Sequence, residues 1–180
     1  ELVEKLQSIR DKLGKAIKVT SGYRCLSHNA AVGGSPGSKH RCGMAADWRL
    51  VDRSINPVAL GIIAAQYFKA VGIYWYDGCA IVHTDTRDAK ATWLCDAPRH
   101  YPSTTYQKFI LPTIRRGCTG DANRAATKML QRLLGLTPDG IFGEGTENAL
   151  LKAQEAHGLA VDGICGPASW KAISGASKYL

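Results

Sequence analysis

His40 and Asp47 stand seven residues apart in the stretch His40-Arg41-Cys42-Gly43-Met44-Ala45-Ala46-Asp47. Both residue types ligate zinc, and a catalytic zinc site typically joins three protein side chains to a water in the remaining position. A loop residue and a strand residue at this separation converge if Gly43 turns the chain sharply between them. His83, in Ile81-Val82-His83-Thr84-Asp85, offers a third ligand. On a strand His83 and Asp85 point to one face, because side chains alternate. A ligand and a carboxylate base on one face, beside one metal ion, are what metal-assisted amide hydrolysis requires. Spacing alone does not separate this site from a solvated loop histidine at 40, a turn or cap aspartate at 47 and a half-buried strand histidine at 83.

The elements that must hold these residues follow from apolar periodicity. Leu2, Leu6, Ile9 and Leu13 fall at helical spacing, and Gly14 is a stop. Ala16 to Thr20 alternates like a short strand. From Leu26 to Arg41 the composition turns to Gly, Ser, Asn and Pro, which predicts a long irregular segment of the kind that often carries function. Ala45 to Leu50 reads as a strand. Asn56-Pro57 opens a helix reaching about Ala70, with Pro57 tolerated in the first turn. Ile73 to Tyr76 and Ala80 to Thr86 read as two further strands. The expected fold class is α+β, a small antiparallel sheet with flanking helices.

Several short motifs occur in order: Ser21-Gly22-Tyr23-Arg24, His28-Asn29, Gly33-Gly34-Ser35, Ser38-x-His40, Gly43-x-Ala45-Ala46-Asp47 and His83-x-Asp85. Together they resemble the zinc D-Ala-D-Ala carboxypeptidases, metallopeptidases that share a fold with lysostaphin-type enzymes and hedgehog signalling domains. The resemblance covers roughly Glu1 to Tyr106. It implies Zn2+ held by His40, Asp47 and His83, a substrate contact from Arg24 near the scissile bond, and a positioning role for Ser38. It implies hydrolysis of peptide bonds in the stem peptides or cross-links of bacterial peptidoglycan, by a D,D-carboxypeptidase or an endopeptidase.

Many such enzymes place an acidic residue three positions before the second histidine ligand, and here that position is Ala80. Asp85 is therefore the expected general base, with Asp77 the second choice. Asp85 also fits a residue that orients a ligand or pairs with Arg87. As base, Asp85 takes a proton from the attacking water and delivers it to the leaving amine. Arg24 stabilises the developing oxyanion or grips a substrate carboxylate. Members of this family often carry a further segment before the first helix, and a sequence beginning at Glu1 is expected to be trimmed or processed.

Gly117-Cys118-Thr119-Gly120-Asp121 marks a change of pattern. The expected division is a catalytic domain over 1–116, a linker over 117–121 and a second domain over 122–180. Met129, Leu130, Leu133 and Leu134 form one apolar stripe, and Ala149, Leu150, Ala153 and Ala156 another. Asp139-Gly140-Ile141-Phe142-Gly143 recurs as Asp162-Gly163-Ile164-Cys165-Gly166, offset by 23 residues. Each unit reads as a tight turn whose isoleucine, Ile141 or Ile164, docks under the following helix in a small three-helix domain. The pattern resembles the peptidoglycan-binding module of wall hydrolases over about Thr127 to Ile173. A docking domain without a ligand is the alternative, and a binding module would raise the local substrate concentration.

Composition narrows the partner. The net charge of +8 and pI near 9.3 favour an anionic partner. The basic residues are scattered and no finger or recognition motif appears, so the anionic wall is expected rather than nucleic acid. The most apolar stretch, Val58 to Tyr76, is broken by Gln66 and Lys69, which argues against a membrane span. The six cysteines include no Cys-x-x-Cys pair, so a structural zinc ribbon is unsupported, and free thiols suit a chain this long as well as bridges do. A monomer is expected, either secreted and wall-associated or a phage-encoded lysin acting on the host wall. The competing reading is a non-catalytic wall-binding protein that retains the metallopeptidase fold. Ala80 supports it; the intact His40, Asp47 and His83 oppose it.

Overall fold

The structure, a computed structural model, describes residues 1–103 and 110–180, so the far end of the expected resemblance at Tyr106 lies outside the described residues. The N-terminal part contains α1 (Leu2–Leu13), β1 (Ile17–Ser21), α2 (Leu26–Ala31), β2 (Ala45–Leu50), α3 (Pro57–Ala64), β3 (Ala70–Tyr76), β4 (Cys79–Asp85) and β5 (Ala91–Cys95). The C-terminal part contains α4 (Asp121–Leu133), α5 (Glu144–Ala156) and α6 (Pro167–Ser174). The fold is α+β, and no helix among the described residues is long and apolar enough to cross a membrane. All six cysteines are free.

The five strands run in the order β1-β2-β4-β3-β5. Asp77-Gly78 closes the β3–β4 hairpin between the paired residues Tyr76 and Cys79, with Gly78 in the left-handed conformation such a turn favours. The sheet departs from the antiparallel expectation at one edge, where β5 lies parallel to β3. The helix expected to reach Ala70 stops at Ala64, because Ala70 already pairs with Asp85 on one side and Ala91 on the other. The stretch from Leu26, expected to be irregular, begins with α2 and ends in a 3-10 turn at Lys39–Cys42.

Alternation divides the sheet into two faces. Ala46, Trp48, Leu50, Val71, Ile73, Val82 and Leu94 are buried in the core with Leu6, Ile9 and Leu13 of α1. The Trp48 indole N–H donates to Thr84 Oγ1 at 3.1 Å, so this buried donor is satisfied. Asp47, His83, Gly72, Tyr74, Trp93 and Asp85 fall on the opposite face by register.

Every residue of α3 is buried. A helix apolar all round needs cover on all sides. β3 supplies one side so closely that a Cβ on Gly61 would lie 2.5 Å from Ile73 Cγ1. α6 and the 3-10 turn Ala176–Tyr179 pack against α3 as well. Asn56 caps α3 by accepting from the Ala59 N–H at 2.9 Å, and its Nδ2 donates to the Ser174 carbonyl at 2.9 Å. The Trp170 indole donates to the Pro112 carbonyl, and Ile114 and Cys165 exchange backbone hydrogen bonds. One hydrophobic core therefore runs from Leu6 to Ala176.

In the C-terminal part the two repeats are built around buried glutamines. Gln131 Nε2 donates to Asp139 Oδ1, the Ile141 carbonyl and Thr146 Oγ1, while its Oε1 accepts from Gly140 N–H. Gln154 does the same with Asp162, Ile164, Ser169 and Gly163. The expectation that Ile141 is buried is corrected: it is 66% exposed, whereas Phe142 is 4% exposed. In the second unit Ile164 is half-buried and Cys165 is the fully enclosed residue. The cause is local. Each isoleucine turns its carbonyl inward to the glutamine and its N–H to the aspartate, so the next residue takes the core position.

Gln154→Ala should lower stability by at least about 2 kcal/mol in urea unfolding, since buried partners lose their hydrogen bonds. Ile141→Ala should change it by less than about 0.5 kcal/mol. Because one core spans both parts, the unfolding curve should show a single transition; two separated transitions would contradict that packing.

Candidate metal centre

Asp47 of β2 and His83 of β4 are direct register partners, which sets their side chains next to each other on the open face of the sheet. His40 comes from the 3-10 turn, which ends at Gly43 in the left-handed conformation (φ 68°) before the chain enters β2. Two bonds fix that turn: Arg24 N–H donates to the His40 carbonyl, and His40 Nδ1 lies 2.7 Å from the Gly22 carbonyl. The adjoining loop is held by buried Asn29 of α2, whose Nδ2 donates to the carbonyls of Gly34 and Ser35. A Cβ at Gly34 would sit 2.2 Å from Asn29 Oδ1, so the loop approaches α2 at a distance only glycine allows.

The three side chains converge. His83 Nδ1 lies 2.8 Å from Asp47 Oδ1, and His40 Nε2 lies 3.2 Å from both of them. The three form a buried group able to hold a metal ion. The outer nitrogens fix the tautomers. A carbonyl only accepts, so His40 carries its proton on Nδ1 toward Gly22 and presents Nε2 inward. His83 Nε2 faces Asp85 Oδ2 at 3.1 Å, which leaves Nδ1 turned to the centre. Two imidazole lone pairs and a carboxylate oxygen thus face one another in a buried space. Only a cation or added protons relieve their repulsion, and the donor set of two nitrogens and one oxygen suits zinc.

The electrostatics agree. Without a cation, protons in this gap do the same work: burial alone would push the Asp47 carboxyl up, but hydrogen bonds from the facing histidine nitrogens hold it well below the usual carboxylate range. Arg24 Nη2 donates to Asp47 Oδ2 at 2.5 Å, and Arg24 Nε donates to Ser21 Oγ at 2.7 Å. For His83, burial pushes the pKa down, but a proton on the inward Nδ1 bonds Asp47 when no cation is there, and with the bond to Asp85 this raises it.

His40, Asp47, His83, Arg24 and Ser38 all line one cleft of about 770 Å³. Asp85 is not on its lining. It is fully buried and reaches His83 at the nitrogen opposite the one facing Asp47. Arg87 closes over it, donating from its backbone N–H, Nε and Nη2. Burial would raise the Asp85 carboxyl, but the bonds from His83 and Arg87 hold it far below the usual range. Asp77 is also elsewhere: it sits fully exposed in the β3–β4 turn beside Arg132. Among the described residues, Asp47 is the one carboxylate on the cleft.

An aromatic wall completes the cleft, and sequence reading did not find it. Trp93 of β5 lies across Gly72, where a Cβ would meet the indole at 2.4 Å. Its ring is 5.0 Å from the His83 ring, and the Arg87 guanidinium lies 6.0 Å from its centroid. The Trp93 indole N–H donates to the Tyr74 hydroxyl at 3.1 Å, and Tyr74 meets Tyr101 edge to face. The available signal was a glycine in alternation with Tyr74 on β3, which marks a strand where another group approaches closely.

Residues 1–85 match the Peptidase M15 family model. Residues 119–173 match the model described as a putative peptidoglycan binding domain. No curated protein matches the chain. The resemblance to the zinc D-Ala-D-Ala carboxypeptidases and to a wall-binding module thus stands on both regions, and Peptidase M15 enzymes are metal-dependent.

Gly72→Ala should drive the Trp93 indole off the sheet. The expected result is a shifted tryptophan fluorescence spectrum and a stability loss of about 1–3 kcal/mol. An unchanged spectrum and unfolding midpoint would contradict the close approach.

Proposed function

Starting from a Peptidase M15 region packed against a peptidoglycan-binding type of domain, we propose that this protein is a zinc peptidase. It hydrolyses peptide bonds in the stem peptides or cross-links of bacterial peptidoglycan, as a D,D-carboxypeptidase or an endopeptidase. The two matches together support a cell-wall-acting metallopeptidase. The observation that carries the finer reading is the meeting of His40 Nε2, Asp47 Oδ1 and His83 Nδ1, each histidine with its other nitrogen already committed.

In this reading His40, Asp47 and His83 hold Zn2+, within a catalytic domain ending near residue 116 and followed by the wall-binding domain from about 122. A zinc ion there supplies Lewis acidity, polarising a carbonyl oxygen and acidifying a water. Asp85 keeps His83 in one tautomer and one orientation, and Arg87 keeps Asp85 ionised. That role fits its place behind the ring better than proton transfer with substrate does. Arg24 neutralises the outer oxygen of Asp47 and, beside Ser38, faces the cleft where a substrate carboxylate or carbonyl would lie.

The second reading, a wall-binding protein without turnover, is favoured by one observation: no carboxylate other than Asp47 lines the cleft among the described residues. Mass spectrometry of defined muropeptides, with chelator and with restored zinc, decides between them. Loss of a terminal D-Ala marks a carboxypeptidase, and conversion of cross-linked dimers to monomers marks an endopeptidase. No zinc-dependent change in any substrate would leave only the binding protein.

Two substitutions test the residue roles. His40→Ala should abolish both bound zinc and cleavage, and retained stoichiometric zinc would exclude it as a ligand. Asp85→Asn should weaken zinc binding by about 10–100-fold, as loss of a ligand's hydrogen-bond partner does. Full zinc affinity with turnover abolished would instead return Asp85 to the role of base.

A further inference from the structure

We propose that the Tyr74 hydroxyl is a catalytic hydrogen-bond donor, aimed at the oxygen that becomes negative when the scissile carbonyl is attacked. The inference rests on the peptidase reading above and names the donor for that same site. Tyr74 lines the cleft together with Asp47 and His83.

A phenol has one O–H to donate and lone pairs to accept with. The accepting side of Tyr74 is taken by the Trp93 indole N–H at 3.1 Å. An indole N–H only donates, so it fixes the direction of the hydroxyl: the phenolic hydrogen must point away from Trp93. No described group takes that hydrogen. Burial, with the negative charge of Asp47 as a lesser cause, raises the pKa of Tyr74, so the proton stays on the oxygen.

The other candidate donor is already engaged. Arg24 gives Nη2 to Asp47 and Nε to Ser21. It is placed to grip a substrate carboxylate with what remains, whereas the Tyr74 hydrogen is uncommitted.

The scaffold behind Tyr74 is built for rigidity. Gly72, two residues earlier on β3, leaves room for the indole to lie flat on the sheet. The same indole packs beside His83 and under Arg87, so it spans the distance between a proposed zinc ligand and the phenol. Tyr101 meets the Tyr74 ring edge to face at 5.9 Å. Donors held in place before the reaction stabilise developing charge without reorganising at the moment it forms.

In the step concerned, water oxygen bonds to the carbonyl carbon and the carbonyl oxygen takes the electron pair of its π bond. Tyr74 donates a hydrogen bond to that oxygen and keeps its proton. The pair returns as the C–N bond breaks, both protons of the attacking water end on the leaving amine as an ammonium, and a carboxylate remains. Trp93 is a positioning residue, acting only through Tyr74.

The test compares wild type, Tyr74→Phe and Trp93→Phe, all zinc-loaded and full length. Tyr74→Phe should lower kcat on a soluble muropeptide by about 100-fold or more with KM and zinc content unchanged. Calorimetry with a phosphinate analogue of the scissile dipeptide, a tetrahedral mimic, should show a loss of affinity of similar size, while product affinity stays constant. Trp93→Phe keeps an aromatic ring but removes the N–H, and should lower kcat less than Tyr74→Phe with the same KM. If wild type turns over and Tyr74→Phe equals it within about threefold, or binds the phosphinate equally well, the donor role is overturned and the peptidase reading survives. If wild type neither cleaves nor binds the phosphinate with zinc present, both are overturned.

Discussion

Two imidazole nitrogens and a carboxylate oxygen, all with lone pairs turned inward, repel one another, and much of the N-terminal half serves to hold them in that arrangement. The pairing of Asp47 with His83 supplies two of the three through strand register alone. The third arrives on a loop that needs Gly43 to turn, Gly34 to approach α2, and Asn29 to tie the loop carbonyls. Each histidine then has its outer N–H occupied, by Gly22 for His40 and by Asp85 for His83. The unfavourable contact at the centre is sustained by favourable ones around it, which is the usual economy of a preorganised binding site.

The same alternation that brings Asp47 and His83 together places Trp48 and Val82 in the core one residue away. A slip of one residue in this pairing would bury the charged group and expose the tryptophan. The register is therefore enforced by the hydrophobic face and exploited by the polar one. This explains why a short strand such as β2 can carry a chemical group with accuracy: the core fixes its position, not the site itself.

Legibility in the sequence followed the same physics. Ala45 to Leu50 was readable as a strand because its alternation is strong, and its bounds agree. The end of α3 was not, because Val58 to Tyr76 is apolar almost throughout and periodicity cannot locate a change from helix to strand inside such a run. β5 is short and pairs in parallel with β3, a contact with no local signature, so Trp93 and its link to Tyr74 were invisible. The two-residue spacing of His83 and Asp85 correctly implied a shared face but not which side of the ring the carboxylate would occupy. Ile141 was misplaced because an apolar residue after Asp-Gly looks like core; the direction is set by Gln131, ten residues earlier.

The cover over α3 bears on how such proteins can be recombined. Its apolar surface is shared between the sheet and the last helix of the chain, and the Asn56 cap reaches across to Ser174. Lys128 of α4 also neutralises Asp96, beside β5, at 2.8 Å. A wall-targeting domain borrowed from another protein would have to bring an apolar face, an acceptor carbonyl and a cation at matching places. The C-terminal part is thus less a detachable cassette than the missing wall of its neighbour, and an engineer exchanging the parts would first have to redesign the seam between them.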